Sequence, residues 1–248
     1  MNISMMSTAE LIHLGGTPSW VLPELTEINR LPAHATFERY RNIAATTGEE
    51  DRRRTRNLDG EWDFRMLRSP LELSASLVRS RAQRGWDRIP VPSNWTLHGY
   101  GFPHYTNQGM PFNEYPPDVP EENPTGVYRK SVRIPAGWKN RRVHLEVGGA
   151  ESVLYVYLNG RSVGMGKDSR LPSLFDLTPH LRFGEDNLLT LVVVKWSDAS
   201  YVEDQDQWWM GGIFRSVRLI TCPQVHLADL SITPVLSKTG ALGHLMGE

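Results

Sequence analysis

The sequence has almost no cysteine, and what it lacks excludes several classes of protein. Cys222 is the only cysteine among 248 residues, so no internal disulfide can form, and a thiol-based metal site would need more of them. No apolar run approaches the roughly 20 residues that span a bilayer. Residues 1–16 also lack the basic leader of a secretory signal. These absences favour a cytoplasmic protein that does not enter a membrane.

The chain also lacks net charge and the common catalytic signatures. Its 27 basic and 28 acidic residues leave a formal charge of −1, so no long-range field draws it towards nucleic acid or an anionic surface. There is no GxSxG, HExxH, P-loop or dinucleotide fingerprint. The eight histidines are scattered without the spacing of metal ligands, and we therefore expect each to have an ordinary surface or core role.

What is present is a series of short strand patterns. Strands are predicted from polar–apolar alternation or from a buried apolar run, at residues 61–66, 127–134, 142–147, 153–158, 161–165, 188–196 and 213–220. Asn159 and Gly160 predict a tight hairpin, because both tolerate positive φ. A short helix is predicted within residues 70–83. Short strands without interleaved long helices predict an all-β antiparallel sandwich, specifically a jelly roll.

The flanks of this region have a different character, so we divide the chain into three parts. Residues 1–56 carry isolated apolar anchors without a period and end in the basic run 52–54, which we interpret as a solvated linker. Such an arm must lie against this domain or another subunit, and would be largely disordered without a partner. Residues 57–222 form the sandwich. Residues 223–248 contain one or two strands but no closing element, which predicts the opening of a second domain.

Two acidic clusters are candidates for chemistry. Glu121 and Glu122 are adjacent, so in an extended chain they point in opposite directions and make a poor catalytic pair. Residues 203–206, Glu-Asp-Gln-Asp, lie one residue before a pair of tryptophans, Trp208 and Trp209. Carboxylates accept hydroxyl protons and bind hard cations, and tryptophans stack on sugar faces. The alternative is an acidic connection between strands whose tryptophans fill the core.

The long aperiodic stretch 89–125 is the second candidate, because loops of this length in compact domains are usually functional. Its amide, imidazole and phenol groups can donate and accept hydrogen bonds from a neutral polyol without desolvating a charge, although the same residue types also make ordinary turns. The candidates are Asn94, His98, His104, Tyr105 and Asn107.

Taken together in order, the segments around these loops resemble a known family. They are VPSNW (91–95), HGY (98–100), YTN (105–107), ENPTG (122–126), KDSRLPS (167–173), FD (175–176), KWSD (195–198), Tyr201, EDQD (203–206) and GIFR (212–215). Residues 29–31, 33–34 and 41–42 also match an N-terminal arm. This series resembles the lac-type β-galactosidases of glycoside hydrolase family 2, over nearly the whole chain from about Trp20.

The resemblance implies the sugar-binding N-terminal portion of a retaining β-galactosidase. In that family the acid/base and nucleophilic glutamates lie in a later TIM barrel, so no catalytic residue is expected in this chain. By motif match, Asn107 would hydrogen-bond galactose, and Asp206 would bind galactose hydroxyls and help to hold Na⁺. The family also requires Mg²⁺, whose ligands would lie outside this chain.

The resemblance has further implications and one departure. It implies a β-galactoside partner, a homotetramer assembled partly through the arm, and an immunoglobulin-like domain beginning at residue 223. Residues 208–212, Trp-Trp-Met-Gly-Gly, are more aromatic and more glycine-rich than the family pattern, which puts fine substrate preference in doubt. The alternative reading is a stand-alone carbohydrate-binding or assembly module without catalysis.

Overall fold

Strands supply nearly all of the regular structure. The computed structural model describes residues 8–35, 40, 43, 55–82, 84–106, 108–240 and 243–247. Within these ranges the strands are β1 (His13–Leu14), β2 (Thr17–Pro18), β3 (Glu27–Ile28), β4 (Thr55–Asn57), β5 (Gly60–Leu67), β6 (Asp87–Val91), β7 (Ser93–Asn94), β8 (His104–Tyr105), β9 (Thr125–Arg133), β10 (Arg141–Val147), β11 (Ala150–Glu151), β12 (Val153–Leu158), β13 (Arg161–Lys167), β14 (Ser173–Asp176), β15 (Asp186–Val194), β16 (Trp208–Trp209), β17 (Gly212–Ile213), β18 (Val217–Pro223), β19 (Ile232–Leu236) and β20 (Gly243–Gly247).

Within the described part of the chain, every helix is short, five residues at most. The α-helices are α1 (Thr8–Ile12) and α2 (Ala75–Arg79). Among the described residues, no helix is long and apolar enough to cross a membrane. Short 3₁₀ segments lie at Ser19–Val21, Pro70–Glu72, Trp95–His98, Ala136–Trp138, Thr178–His180 and Asp198–Tyr201.

Two antiparallel sheets form a sandwich. The larger has the order β3-β13-β12-β15-β9-β5-β6 and the smaller the order β14-β10-β18-β4. Their facing side chains share one buried cluster, in which Val143 and Leu145 of β10 join Leu154 and Val156 of β12. A third sheet, β11-β17-β7, consists of short strands. The predicted all-β antiparallel sandwich is confirmed.

The larger sheet is buried on both faces. Along β12, Leu154, Val156 and Leu158 belong to the core between the sheets, whereas the alternating Val153, Tyr155 and Tyr157 belong to a second core on the opposite face. Because successive side chains of a strand point to opposite faces, a strand covered on both sides needs apolar residues at every position. This explains why β15 is a near-continuous apolar run.

The N-terminal segment covers the outer face of the larger sheet. Leu11, Ile12, Trp20 and Ile28 are buried in the second core. The buried hydroxyl of Ser19 lies 2.9 Å from the carbonyls of Leu11 and Ile12 and 2.7 Å from the Tyr155 hydroxyl on β12. The arm therefore lies against this domain over residues 8–31, and α1 with β1–β3 replaces the irregular structure that we predicted there.

A buried ion pair fastens the same segment. The Nζ atom of Lys167, at the end of β13, lies 2.7 Å from Asp198 Oδ1 and donates to the carbonyl of Leu22 at 2.8 Å. Both charged side chains are almost inaccessible to water. Burial lowers the pKa of Lys167, and the bond to Asp198 opposes that change. One ammonium thus joins three segments that are distant in sequence.

Several local predictions are confirmed by the strand register. Asn159 and Gly160 have φ values of 52° and 77° and join β12 to β13 in a hairpin. Strand β9 ends at Arg133, one residue before the end of the predicted strand 127–134. In β10, Val143, Leu145 and Val147 are buried on one face, as the alternation predicts.

Two predicted elements differ from the structure. The predicted helix 70–83 is reduced to a 3₁₀ turn and α2, because the carbonyls of Ser80 and Ala82 accept hydrogen bonds from the Arg129 guanidinium instead of continuing a helix. The predicted strand 213–220 is split into β17 and β18. The split arises because the amide of Phe214 donates to the carbonyl of Gly149, in a connection between two different sheets.

The end of the described chain is a separate antiparallel hairpin, β19–β20, whose residues are exposed. The predicted boundaries 1–56, 57–222 and 223–248, and the immunoglobulin-like continuation, stay predictions. The basic run 52–54 and the matched residues 41–42 lie outside the described residues.

Replacing Lys167 with Met should destabilise the chain by about 3–5 kcal/mol, because it leaves the buried Asp198 carboxylate without its counter-ion. The free energy of unfolding of each variant is measured by urea denaturation. Lys139→Met, at an exposed lysine, is the matched control and should change stability by about 0.5 kcal/mol or less. Equal effects of the two substitutions would contradict the importance of the buried pair.

Candidate functional site

The two loops selected from the sequence meet at one end of the sandwich. Strand β8 pairs with β16, which places Tyr105 opposite Trp208 and His104 opposite Trp209. Nearby, β7 pairs with β17, so that Asn94 lies opposite Gly212. Residues separated by about a hundred positions in the sequence therefore form one surface.

Three side chains form the rim of this surface. The hydroxyl of Tyr105 donates a hydrogen bond to Asp206 Oδ1, and the ring centroids of Tyr105 and Trp208 are 5.5 Å apart. Tyr105 is 47% exposed and Trp208 57% exposed, which is unusual for aromatic side chains of this size. The hydrogen bond to Asp206 raises the pKa of the Tyr105 phenol. We refer to Tyr105, Asp206 and Trp208 as the rim cluster.

A buried lysine supports the loop beneath the rim. Lys195 follows β15 directly, and its Nζ lies 3.1 Å from the carbonyl of Phe102 and 3.1 Å from His104 Nδ1. Burial lowers the pKa of Lys195 from 10.5 to about 8, and the Glu151 carboxylate opposes this change. Burial and the neighbouring Lys195 charge lower the pKa of His104. Because an ammonium can only donate, His104 Nδ1 accepts the hydrogen bond from Lys195.

The aromatic residues around Lys195 make a continuous layer. Trp196 contacts His104 edge to face, and its ring centroid lies 5.4 Å from that of Trp209 and 5.2 Å from that of Phe112. Trp196 and Trp209 are buried. The two adjacent tryptophans therefore have different roles, since Trp209 fills the core and Trp208 faces solvent.

A buried carboxylate holds the glycine-rich turn that follows. Glu151, whose side chain is 2% exposed, accepts hydrogen bonds from the amides of Met210 at 3.3 Å and Gly211 at 2.9 Å. Gly211 has a φ of +73°, and a Cβ there would lie 2.3 Å from the buried ring of Trp95. Glycine suits this position because the turn passes directly over Trp95.

Two of the other acidic candidates, Glu203 and Glu122, have partners in the structure. Both carboxylate oxygens of Glu203 accept hydrogen bonds from Ser169, one from its amide at 2.7 Å and one from its hydroxyl. Burial raises the pKa of Glu203, and the bonds to Ser169 oppose this change. Glu122 lies 3.6 Å from Arg68 at an exposed position. Glu203 and Asp206 therefore point to different partners.

The polar loop candidates also separate into different roles. The side-chain amide of Asn94 donates to the carbonyl of Gly211 at 3.0 Å, and His104 contacts Lys195. His98 is exposed. Tyr105 lies in the rim cluster with Asp206, whereas Asn107 lies outside the described residues.

Sequence reasoning missed the two buried charges, Lys195 and Glu151. Lys195 entered the sequence analysis only as part of the KWSD segment, and no pattern in the sequence pointed to Glu151. A single charged residue next to an apolar strand is the pattern that could have drawn attention to Lys195.

With this geometry established, comparison with known proteins decides the family. Residues 55–223 match the glycosyl hydrolases family 2, sugar binding domain. The chain belongs to glycosyl hydrolase family 2.

The similar curated proteins carry the name β-galactosidase. The β-galactosidase of Pectobacterium atrosepticum is 43% identical over 219 residues, which are 88% of this chain and 21% of that protein. The β-galactosidase of Pseudoalteromonas haloplanktis is 39% identical over 230 residues, covering 91% of this chain and 22% of that protein. The chain therefore spans about a fifth of the length of the curated relatives it matches.

Solved structures of family 2 share the fold. The β-glucuronidase of Bacteroides uniformis matches 73% of this chain and 20% of its own with a TM-score of 0.56 at 23% identity. The β-glucuronidase of Ruminococcus gnavus matches 75% of this chain and 31% of its own with a TM-score of 0.55 at 20% identity. At this identity the likeness concerns the fold alone, and it agrees with the sandwich described above.

Lys195 should make the stability of the chain rise with pH in alkaline solution. In the folded state its pKa is about 8 against an ordinary value of 10.5, so the unfolded state holds more protons between these values and stability increases with pH. The free energy of unfolding of wild type minus that of Lys195→Met should increase by up to about 1.4 kcal/mol per pH unit across this window. Urea denaturation at several pH values measures it. Lys238→Met, at an exposed lysine, is the control and should show no such trend. A difference between wild type and Lys195→Met that does not change with pH would contradict the burial of a charged Lys195.

Gly211→Ala should destabilise the chain more than Gly240→Ala. Both glycines have positive φ, but a Cβ at Gly240 meets no atom within 4 Å whereas one at Gly211 overlaps Trp95. The backbone term of about 1–2 kcal/mol is common to both, and overpacking adds about 1–3 kcal/mol at Gly211 alone. Thermal unfolding monitored by tryptophan fluorescence compares the two variants. Equal losses would show that the turn does not press on Trp95.

Proposed function

We propose that this chain is the sugar-binding N-terminal portion of a retaining β-galactosidase, which hydrolyses terminal non-reducing β-D-galactose residues, such as that of lactose. The observation that carries the proposal is the rim cluster, an exposed carboxylate hydrogen-bonded to one of two neighbouring exposed aromatic side chains on a family 2 sandwich. Support comes from the name β-galactosidase on relatives that cover 88% of this chain.

In this proposal the chain recognises galactose but does not break the glycosidic bond. Asp206 accepts hydrogen bonds from galactose hydroxyls, and Asn107 adds an amide contact. A retaining enzyme needs two carboxyl groups about 5 Å apart, one protonating the leaving oxygen and one attacking the anomeric carbon. Both belong to a later part of the protein in this proposal, and no catalytic residue lies in this chain. Glu203 does not suit the role, because its two oxygens already accept bonds from Ser169.

The proposal includes two metal ions. Na⁺ is a hard cation that binds oxygen, and an exposed carboxylate such as Asp206 is a suitable ligand. A single carboxylate cannot complete a coordination sphere, so the other oxygen ligands come from galactose and from the rest of the protein. Bound Na⁺ supplies positive charge that orients sugar hydroxyls. Mg²⁺ has its ligands outside this chain.

We further propose that the complete protein is a cytoplasmic homotetramer acting in carbohydrate metabolism. The support for the tetramer is the resemblance of residues 29–31, 33–34 and 41–42 to the assembly arm of the family. Analytical ultracentrifugation of the complete protein tests the tetramer.

The activity is tested by joining residues 1–248 to the remaining part of the Pectobacterium atrosepticum β-galactosidase. The joined protein should hydrolyse a chromogenic β-galactoside with Na⁺ and Mg²⁺ present, whereas the 248-residue chain alone should not. Turnover by the lone chain that is abolished by Glu203→Gln would contradict the proposed division of labour.

Asp206→Asn in the joined protein should lower kcat/KM by about 10- to 100-fold, the loss expected for one or two charge-assisted hydrogen bonds. It should also remove the difference in KM between Na⁺ and tetramethylammonium buffers. Asp204→Asn, at an exposed neighbouring carboxylate, is the control and should keep both properties. An Asp206→Asn protein that retains the Na⁺ effect would show that Asp206 does not hold the ion.

Calorimetric titration of the lone chain with galactose and lactose distinguishes the main proposal from a stand-alone carbohydrate-binding module. In the main proposal the lone chain binds sugar more weakly than the millimolar range, because most of the pocket belongs to the later domain. Millimolar or tighter binding would favour a stand-alone carbohydrate-binding module.

A further inference from the structure

The outer face of the smaller sheet brings together two metal-binding side chains. In β10, Val143 and Leu145 face the core, so His144 between them faces outward. The register of β10 with β18 pairs His144 with Ile220 and Arg142 with Cys222. Residues two apart on a strand share a face, so His144 and Cys222 are diagonal neighbours on the outer face.

A second histidine reaches the same place from the segment after β18. Strand β18 ends at Pro223, and the chain then turns so that the ring of His226 lies 5.8 Å from that of His144, measured between centroids. One ligand atom from each of His144, Cys222 and His226 lies within 4.8 Å of the other two. Cys222 is buried, and both histidines are partly accessible to solvent.

The chemistry of these three groups selects a class of metal. One thiolate and two imidazoles suit borderline ions such as Zn²⁺, whereas hard ions such as Na⁺ and Mg²⁺ prefer oxygen. A tetrahedral zinc site holds its ligand atoms about 3.3–3.6 Å apart, from zinc–ligand distances of about 2.0–2.3 Å. The ligand atoms, now within 4.8 Å of one another, would need to approach by about 1 Å to reach these distances. His226 lies outside any strand, in the segment after β18.

The second nitrogen of His226 is positioned as in known metal sites. Its Nδ1 lies 3.0 Å from the carbonyl of Pro223. A metal-bound imidazole usually donates its other N–H to a carbonyl or carboxylate, which fixes the tautomer and the ring orientation. With Nδ1–H donating to Pro223, the lone pair of Nε2 is the one that can coordinate a metal.

The neighbouring charges do not oppose a cation. Arg142 lies opposite Cys222, but its guanidinium pairs with the Asp176 carboxylate at 3.2 Å. Asp176 in turn lies opposite His144 in the register of β10 with β14. The positive charge of Arg142 is therefore offset by a carboxylate on the same face.

We propose that His144, Cys222 and His226 form a binding site for Zn²⁺ or a similar borderline transition-metal ion, and that the ion fastens the segment after β18 to the sandwich. The thiol of Cys222 binds as the thiolate and releases its proton to solvent. Three protein ligands leave a fourth position for water or for a group from elsewhere. The proposal uses none of the residues assigned to galactose and is independent of the proposed function.

The test is a titration of the 248-residue chain with Co²⁺ after removal of metals by a chelator. Wild type should bind one equivalent with a thiolate-to-cobalt charge-transfer band in the near ultraviolet, and Zn²⁺ should displace it. His226→Ala should weaken binding at least tenfold, because it removes one of three ligands from a segment that does not form the core. Cys222→Ser should abolish the charge-transfer band. His244→Ala, at an exposed histidine on β20, is the control and should bind like wild type.

The effect of Zn²⁺ on stability is an independent readout of the fastening. Zn²⁺ should raise the unfolding temperature of wild type and of His244→Ala but not that of His226→Ala. Absence of the charge-transfer band in wild type would overturn the proposal that Cys222 binds the metal. Equal Co²⁺ affinity in wild type and His226→Ala would also overturn it, and circular dichroism of each variant would confirm that the comparison concerns folded chains.

Discussion

Both faces of the seven-stranded sheet must be kept from water, and much of the structure depends on how this is achieved. The smaller sheet covers one face, and the N-terminal segment with α2 covers the other. Burial of each large apolar side chain on that outer face is worth about 1.5–3 kcal/mol. Tyr155 and Tyr157 carry hydroxyls into that second core, and Ser19 supplies the partner for the first of them. The segment before the sandwich is therefore a structural layer of the same domain, fastened by Lys167 and Asp198.

The same buried strands position the candidate site. Lys195 follows the last residue of β15, and the next residue, Trp196, exchanges two hydrogen bonds with the side chain of Asn123, which lies two residues before β9. These residues leave the sheet at neighbouring strand ends, so their backbone directions are set by the ladder between β9 and β15. A site that begins at the ends of well-packed strands is held more firmly than one on an independent loop.

How far the sequence predicts this structure depends on the distance over which each interaction acts. Alternation identifies β10 and the Asn159–Gly160 hairpin because both are local patterns. It cannot show that the N-terminal segment covers the sheet, because the contact of Ser19 with Tyr155 joins residues 136 positions apart. The resemblance placed Asp206 among the candidates, but its contact with Tyr105 depends on the β8–β16 pairing. Sequence spacing cannot show that His144, Cys222 and His226 lie together, because strand register brings His144 beside Cys222 and the turn after β18 brings His226 to them.

Two buried charges hold the loops that carry the rim cluster. Lys195 attracts the carbonyl of Phe102 and the ring of His104, and Glu151 attracts the amides of Met210 and Gly211. These charges orient the two loops that carry Tyr105 and Trp208, so the order exists before any ligand binds. A sugar offers many weak hydroxyl contacts, and its binding is costly when the protein must order side chains at the same time. In the proposed role, this domain therefore contributes to catalysis elsewhere by presenting a carboxylate and two aromatic rings that are already in position.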